Sequence, residues 1–89
     1  MSHEMQAEEP ARALCLRVVA EPDPGALARV LNHFLSLNAV PRRVVAEFGF
    51  SGMQYIRIDV VGMTERALSL IAGKLAQAPL IENAYWHRL

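Results

Sequence analysis

The chain has 89 residues, 53% of them hydrophobic, and nine Lys plus Arg balance nine Asp plus Glu, so it has no net charge. Nothing in that total attracts nucleic acid or acidic lipid, and no apolar run approaches the ~18 residues that a membrane span needs. A domain this small buries a limited core and gains from association. The single Cys15 cannot close an internal disulfide. With no charged-then-apolar leader ahead of it, the expected location is the cytoplasm.

Residues 1–12 carry Glu4, Glu8, Glu9 and Pro10 without a periodic apolar pattern and read as a mobile arm ahead of one domain over 13–89. His3 stands alone in that arm. Leu14 to Ala20 alternates, with Leu14, Leu16 and Val18 toward one face and Cys15, Arg17 and Val19 toward the other, which predicts a first strand. Cys15 has only Arg17 as a close charged neighbour in sequence, so it reads as a small hydrophobe filling a sheet face rather than as a reactive thiol.

Glu21, Pro22, Asp23, Pro24 and Gly25 then form a proline-rich loop that opens a helix. Asp23 suits the N-cap, Pro24 suits the first helical position, where a missing N–H costs nothing, and Gly25 leaves the backbone uncovered. Such a helix mouth leaves N–H groups to meet a carboxylate or a neighbouring chain, and it is also how many ordinary helices begin. Leu27, Val30, Leu31, Phe34 and Leu37 fall at helical spacing, while Arg29, Asn32, His33 and Ser36 take the far side. Asn38 suits a left-handed C-cap and Pro41 excludes further helix. His33 has no Cys, Asp or Glu at ligand spacing and reads as solvated.

Val40 to Phe48 predicts a second strand, and Gly49 to Gly52 a turn into a third over Met53 to Val61. Tyr55, Arg57 and Asp59 alternate there with Ile56, Ile58 and Val60, so helices should cover one sheet face only. Thr64 is an N-cap candidate for a second helix with a stripe of Leu68, Ile71 and Leu75, ending before Pro79. Gly73 inside it costs about 1 kcal/mol against Ala unless something packs closely there. Ile81 to Leu89 closes the chain as a fourth strand, with His87 expected to be exposed. The order predicts an α+β, ferredoxin-like βαββαβ domain, a four-stranded antiparallel sheet with two helices on one face.

Catalytic sets are absent from the sequence. It has no Cys or His cluster for a metal, no Gly-rich phosphate loop with a following Lys and no nucleophile elbow, so neither a cofactor nor an enzymatic activity is expected. Asp23, Glu47 and Asp59 fall on different elements, and nothing pairs them for acid and base work. The same element order serves RNA-binding modules, which stack bases on aromatics of the central strands. Here the first strand has no aromatic and the third only Tyr55, while Glu47 and Asp59 interleave with Arg17, Arg43 and Arg57. Nucleic acid is not an expected partner.

The run Asp23, Pro24, Gly25, Ala26, Leu27, Ala28, Arg29, Val30, followed by Phe34 and the turn into a strand at Val40, resembles the ACT domain, whose members often read Asn-x-Pro-Gly-x-Leu-x-Arg-Val at this place. The resemblance covers Leu14 to Trp86. It implies a regulatory module that binds a small molecule, most often an amino acid, between two copies joined edge to edge into an eight-stranded sheet. The implied site residues are Glu21, Pro22, Asp23, Pro24, Gly25 and Ala26 from one copy and Val40 on the partner's neighbouring strand. Within the family the likeness is greatest to the small regulatory subunits of acetohydroxyacid synthase, which implies a catalytic subunit as a further partner. Pro22 and Val40 stand where the family often has Asn, so a ligand would be held through backbone groups.

Two other readings remain open from sequence. One is an ACT-like interaction module without a ligand. The other is a small ferredoxin-like enzyme such as an acylphosphatase, which needs an Arg in the first loop to grip phosphate, where this chain has Glu21 and Asp23.

Overall fold

A computed structural model describes residues 12–89. The expected mobile arm, Arg12 apart, and His3 with it lie outside the described residues. The elements run β1 (Ala13–Ala20), α1 (Pro24–Ser36), β2 (Arg43–Phe48), β3 (Gln54–Val61), α2 (Glu65–Ala76) and β4 (Ile81–Arg88). The four strands form one sheet in the order β2-β3-β1-β4, and each neighbouring pair is antiparallel. This is the expected ferredoxin-like βαββαβ arrangement. Among the described residues no helix is long and apolar enough to cross a membrane.

The alternation read from sequence sorts the sheet into two faces. Leu14, Leu16 and Val18 of β1 and Ile56, Ile58 and Val60 of β3 are buried in one cluster with Val30 and Phe34 of α1 and Leu68, Ile71 and Leu75 of α2. Both helices therefore share the face that these strand residues present. On α1 the buried row is Ala26, Val30 and Phe34, with Leu27 and Leu31 at its margin. Leu37 was expected in that stripe but is the helix C-cap and is exposed. The difference arises because α1 ends at Ser36: Leu37 would fall on the buried side of a continued helix, but as the C-cap it already leaves the helical path.

The helix boundaries follow the expected chemistry. Asp23 caps α1 with Pro24 at its start, and Thr64 Oγ1 accepts from the Ala67 N–H at 3.0 Å to cap α2. Asn38 takes a left-handed conformation at φ 57°, and the Ala39 N–H returns to the Phe34 carbonyl at 2.9 Å. That turn delays β2. It begins at Arg43 instead of Val40, and Val40 lies in the connection, 86% exposed.

Gly73 lies mid-helix on α2, and a Cβ built there meets nothing within 4 Å. No close approach requires glycine, so its backbone entropy is an unneeded cost. Gly73→Ala should raise unfolding stability by about 0.5–1 kcal/mol, read from the midpoint of urea denaturation at unchanged slope.

Candidate functional site

The loop between β1 and α1 closes on itself. The Glu21 N–H donates to the Leu80 carbonyl at 2.8 Å, the Asp23 N–H to the Glu21 carbonyl at 2.7 Å and the Ala26 N–H to the Asp23 carbonyl at 2.9 Å. Asp23 Oδ1 accepts from the Gly25 N–H at 2.7 Å. Pro22 and Pro24 have no N–H to give. Each donor in the stretch that sequence reasoning left bare is thus engaged within the chain, because Asp23 fills the helix mouth itself. Gln54 Nε2 also reaches the carbonyls of Glu21 and Asp23 at 3.2 and 3.3 Å.

Gly25 belongs to this cap. A Cβ on it would stand 3.1 Å from Asp23 Oδ1, tighter than a comfortable contact. Glu21, Pro22, Asp23, Pro24 and Gly25 are exposed, whereas Ala26 is buried beneath them in the core. Pro22, Asp23 and Pro24 border a cleft of about 250 Å³ whose other wall is Ala46, Glu47 and Phe48 at the end of β2 with Gln54 at the start of β3. Val40 is not part of it. It borders a different hollow with Val61, Gly62 and Met63, at the far end of the sheet, so one copy does not bring Val40 to the loop.

The loop also depends on a residue that carried no signal in the sequence. Leu80 has φ 74°, a left-handed conformation in which a branched side chain is strained, and its carbonyl receives the Glu21 N–H. Only the Pro79 before it marks a turn there.

Strand β2 is the bare part of the sheet. Of its residues only Val45 is half-buried, and the others are exposed. The Gly49 N–H bonds the Met53 carbonyl at 2.8 Å, and the register pairs Glu47 with Tyr55, Val45 with Arg57 and Arg43 with Asp59. Hydrogen-bonding direction alternates along an antiparallel strand, so Val44, Ala46 and Phe48 turn their N–H and C=O groups outward. Phe48 is 73% exposed, and Leu35 on α1 is exposed to the same degree.

On the face away from the helices, one row across the sheet reads Arg43, Asp59, Cys15, His87, and the next reads Val45, Arg57, Arg17, Tyr85. Asp59 is only 6% exposed and accepts from Arg57 Nε at 2.9 Å and Nη2 at 3.2 Å. Those bonds hold its carboxyl below the usual range against the opposing effect of burial. Cys15 is fully buried beside it, and burial together with Asp59 raises the thiol, as befits a space-filling residue. His87 was expected to be exposed, but it is half-buried because its Nε2 accepts from Arg17 Nε at 3.1 Å. His33 likewise departs from the solvated expectation: it is half-buried on α1, and burial first, then Lys74 and Arg29, lower its pKa. Among the described residues no group of His, Cys, Asp and Glu is placed to hold a metal.

These shifts set the acid response. His33 is lowered in the fold, so the unfolded chain binds more protons and stability falls as pH drops through the unfolded value near 6.5. His33→Gln should flatten the stability profile between about pH 5 and 7. Asp59 is also lowered, so its contribution is present above the unfolded carboxylate value and disappears as pH falls through the folded one. Urea unfolding followed against pH checks both, the Asp59 loss appearing below about pH 4.

No protein-family profile and no curated relative matches the sequence. Solved structures do. The C-terminal domain of the MgtC protein from Mycobacterium tuberculosis is similar with a TM-score of 0.75 at 15% identity, over 92% of each chain. The ACT domain from the GTP pyrophosphokinase of Chlorobium tepidum has a TM-score of 0.70 at 13% identity, over 86% of this chain and 99% of that one. A formyltetrahydrofolate deformylase from Pseudomonas syringae pv. tomato has a TM-score of 0.58 at 18% identity, over 98% of this chain and 30% of that one. At such identities the likeness is one of fold alone, and one of the structures that share it is an ACT domain.

Proposed function

We propose that this chain is a regulatory ACT-type module that acts in the cytoplasm as a homodimer, holds an amino acid or similar small molecule between its copies and modulates a biosynthetic enzyme without catalysing a reaction itself. The observation that carries this reading is the state of β2. A sheet edge with outward N–H and C=O groups at Val44, Ala46 and Phe48, beside exposed apolar side chains, is a template for a second strand. A two-fold axis near Ala46 would pair β2 with β2 of a second copy antiparallel and extend the sheet to eight strands. The same axis would carry the partner's Val40 segment toward Phe48, beside the cleft at Pro22, Asp23 and Pro24. A ligand there would meet acceptors from Glu21 and Asp23, suited to an ammonium group, while its carboxylate would need donors from the partner's backbone. The run Gly25, Ala26, Leu27, Ala28, Arg29, Val30 favours acetohydroxyacid synthase as the enzyme served.

A second reading, an interaction module without a ligand, draws support from the loop's own hydrogen bonds, since Asp23 occupies the mouth that a ligand carboxylate would use. The two readings share the dimer and differ in the ligand.

Light scattering at tens of micromolar should give twice the chain mass. Ala46→Pro removes an outward N–H without breaking a bond to β3, so the variant should stay folded and become a monomer. A wild-type monomer would overturn the dimer. In a thermal-shift screen of the twenty amino acids, a binder at 100 times its dissociation constant adds about 2.7 kcal/mol, which for a domain this size raises the melting temperature by roughly 4–8 °C per kcal/mol. The response should vanish in Ala46→Pro. Silence from all twenty leaves the interaction module as the function.

A further inference from the structure

The face of the sheet away from the helices carries a concavity of about 330 Å³ that the dimer reading does not use. Its walls include Tyr55 and Tyr85, with Val19 and Val45 among its apolar lining and Arg17 and Arg57 reaching it from neighbouring strands. Arg17 and Arg57 are direct cross-strand partners. Like charges placed opposite each other on one sheet face are unfavourable unless something between them is negative. Asp59 answers only one of the two. It grips Arg57 through Nε and Nη2, whereas Arg17 has its Nε on the neutral lone pair of His87 and, among the described residues, makes no ion pair. Because His87 accepts at Nε2, its proton sits at Nδ1, which faces the Arg88 carbonyl at 3.1 Å.

Each guanidinium is thereby held on one side, Arg17 at Nε and Arg57 at Nε and Nη2, which leaves both terminal nitrogens of Arg17 and Nη1 of Arg57 for a ligand at the cavity they line. Arg43 lies on the same lining, and Glu47 is the one carboxylate on it. The Tyr55 ring is fixed as well. Its hydroxyl bonds Ser51 Oγ at 2.8 Å, and it lies so close over Gly49 that a Cβ there would fall 2.2 Å from Cε2. A pair of positioned guanidinium groups recognises an oxyanion, and phenol rings beside apolar floor residues receive a flat body. The volume admits one small molecule.

We propose that this concavity binds a small flat oxyanion, an aromatic carboxylate or phosphate ester, through Arg17 and Arg57 with its ring against Tyr55 and Tyr85. The site stands apart from the loop at Glu21 to Gly25 and needs no second copy.

Amide NMR titration of the whole chain tests it, with benzoate and adenosine 5′-monophosphate as probes and uncharged benzyl alcohol as the control. Saturable shifts at Arg17, Val19, Tyr55 and Tyr85 with either anion, and none with the alcohol, support the site, and the anion that saturates at lower concentration tells carboxylate from phosphate. Arg17→Gln and Tyr85→Ser should each weaken that binding about tenfold or more, since each removes a charged hydrogen bond or a stacking wall. Both leave the Arg57–Asp59 pair in place, so the fold can be checked by its unchanged remaining spectrum. Absence of saturation with both anions at about 10 mM, roughly tenfold above a millimolar dissociation constant, overturns the proposal. Equal affinity in Arg17→Gln, shifts confined to residues 21–26, or tighter binding of a single-stranded oligonucleotide than of the mononucleotide also overturn it. A change in mass of Tyr85→Ser by light scattering would do the same, by making this face a contact between copies.

Discussion

Burial of β1 is the constraint from which the other features follow. The strand lies between β3 and β4, and Leu14, Cys15, Leu16, Val18 and Ala20 are buried along it, although Cys15 points away from the helices. A strand buried on both sides needs its open face roofed by something other than helix. Here long polar side chains do this, with Arg57 bent onto Asp59 and Arg17 onto His87 over the thiol. Burying each Leu or Val on the helix side contributes about 1.5–3 kcal/mol. On the other side, the polar groups cost little only because each finds a partner. Packing of the core and polar order on the open face are therefore one problem solved along a single strand.

That centring of the core on β1 has a consequence at the sheet margins. Two helices of 13 and 12 residues roof a four-stranded sheet unequally. At β4, Trp86 Nε1 donates to Ser69 Oγ of α2 at 2.7 Å, and Arg88 pairs with Glu65, so that margin is tied to the helix layer. No comparable tie reaches β2 among the described residues. Its exposed Val44 and Phe48 are what remains when a small domain has too little helix to cover four strands. A second chain paired there, as proposed, would meet both deficits of that edge, the unpaired backbone and the uncovered apolar side chains.

Most of the fold was legible because its signals are local and agree with one another. Alternation in Leu14 to Ala20 and in Tyr55 to Val60, the caps Asp23 and Thr64, and the stops at Asn38 and Pro79 each specify one element, and together they specify the order. What escaped depends on contacts distant in sequence. Nothing near His87 foretold Arg17, 70 residues earlier, and nothing near Glu21 foretold that its N–H would donate to the Leu80 carbonyl. The onset of β2 shifted from Val40 to Arg43 because the turn at Asn38 needs residues to return toward the sheet, a geometric demand that β-propensity at Val40 does not record. The loop at Glu21 to Gly25 was identifiable as a helix start whose Asp23 cap already implied an acceptor for the Gly25 N–H, and only its tie from Glu21 to Leu80 was a matter of tertiary structure.

The self-capping of that loop bears on how an ACT-type module could respond to a ligand at all. An N–H already bonded at 2.7 Å to a charged oxygen gains little by exchanging it for a ligand carboxylate, because one charged acceptor replaces another. Binding energy at the loop would instead have to come from groups the single chain leaves unused, namely the outward backbone of β2 and whatever the second copy brings beside Phe48. In such a dimer ligand affinity and dimer affinity would be coupled, since neither the cleft at Pro22 nor the edge at Ala46 would be completed by one chain. Linkage makes that coupling reciprocal: a ligand held between copies tightens the dimer by the same factor by which dimerisation tightens the ligand. A regulatory signal carried by this chain would then be a change in the fraction assembled, with no need for α1 to move.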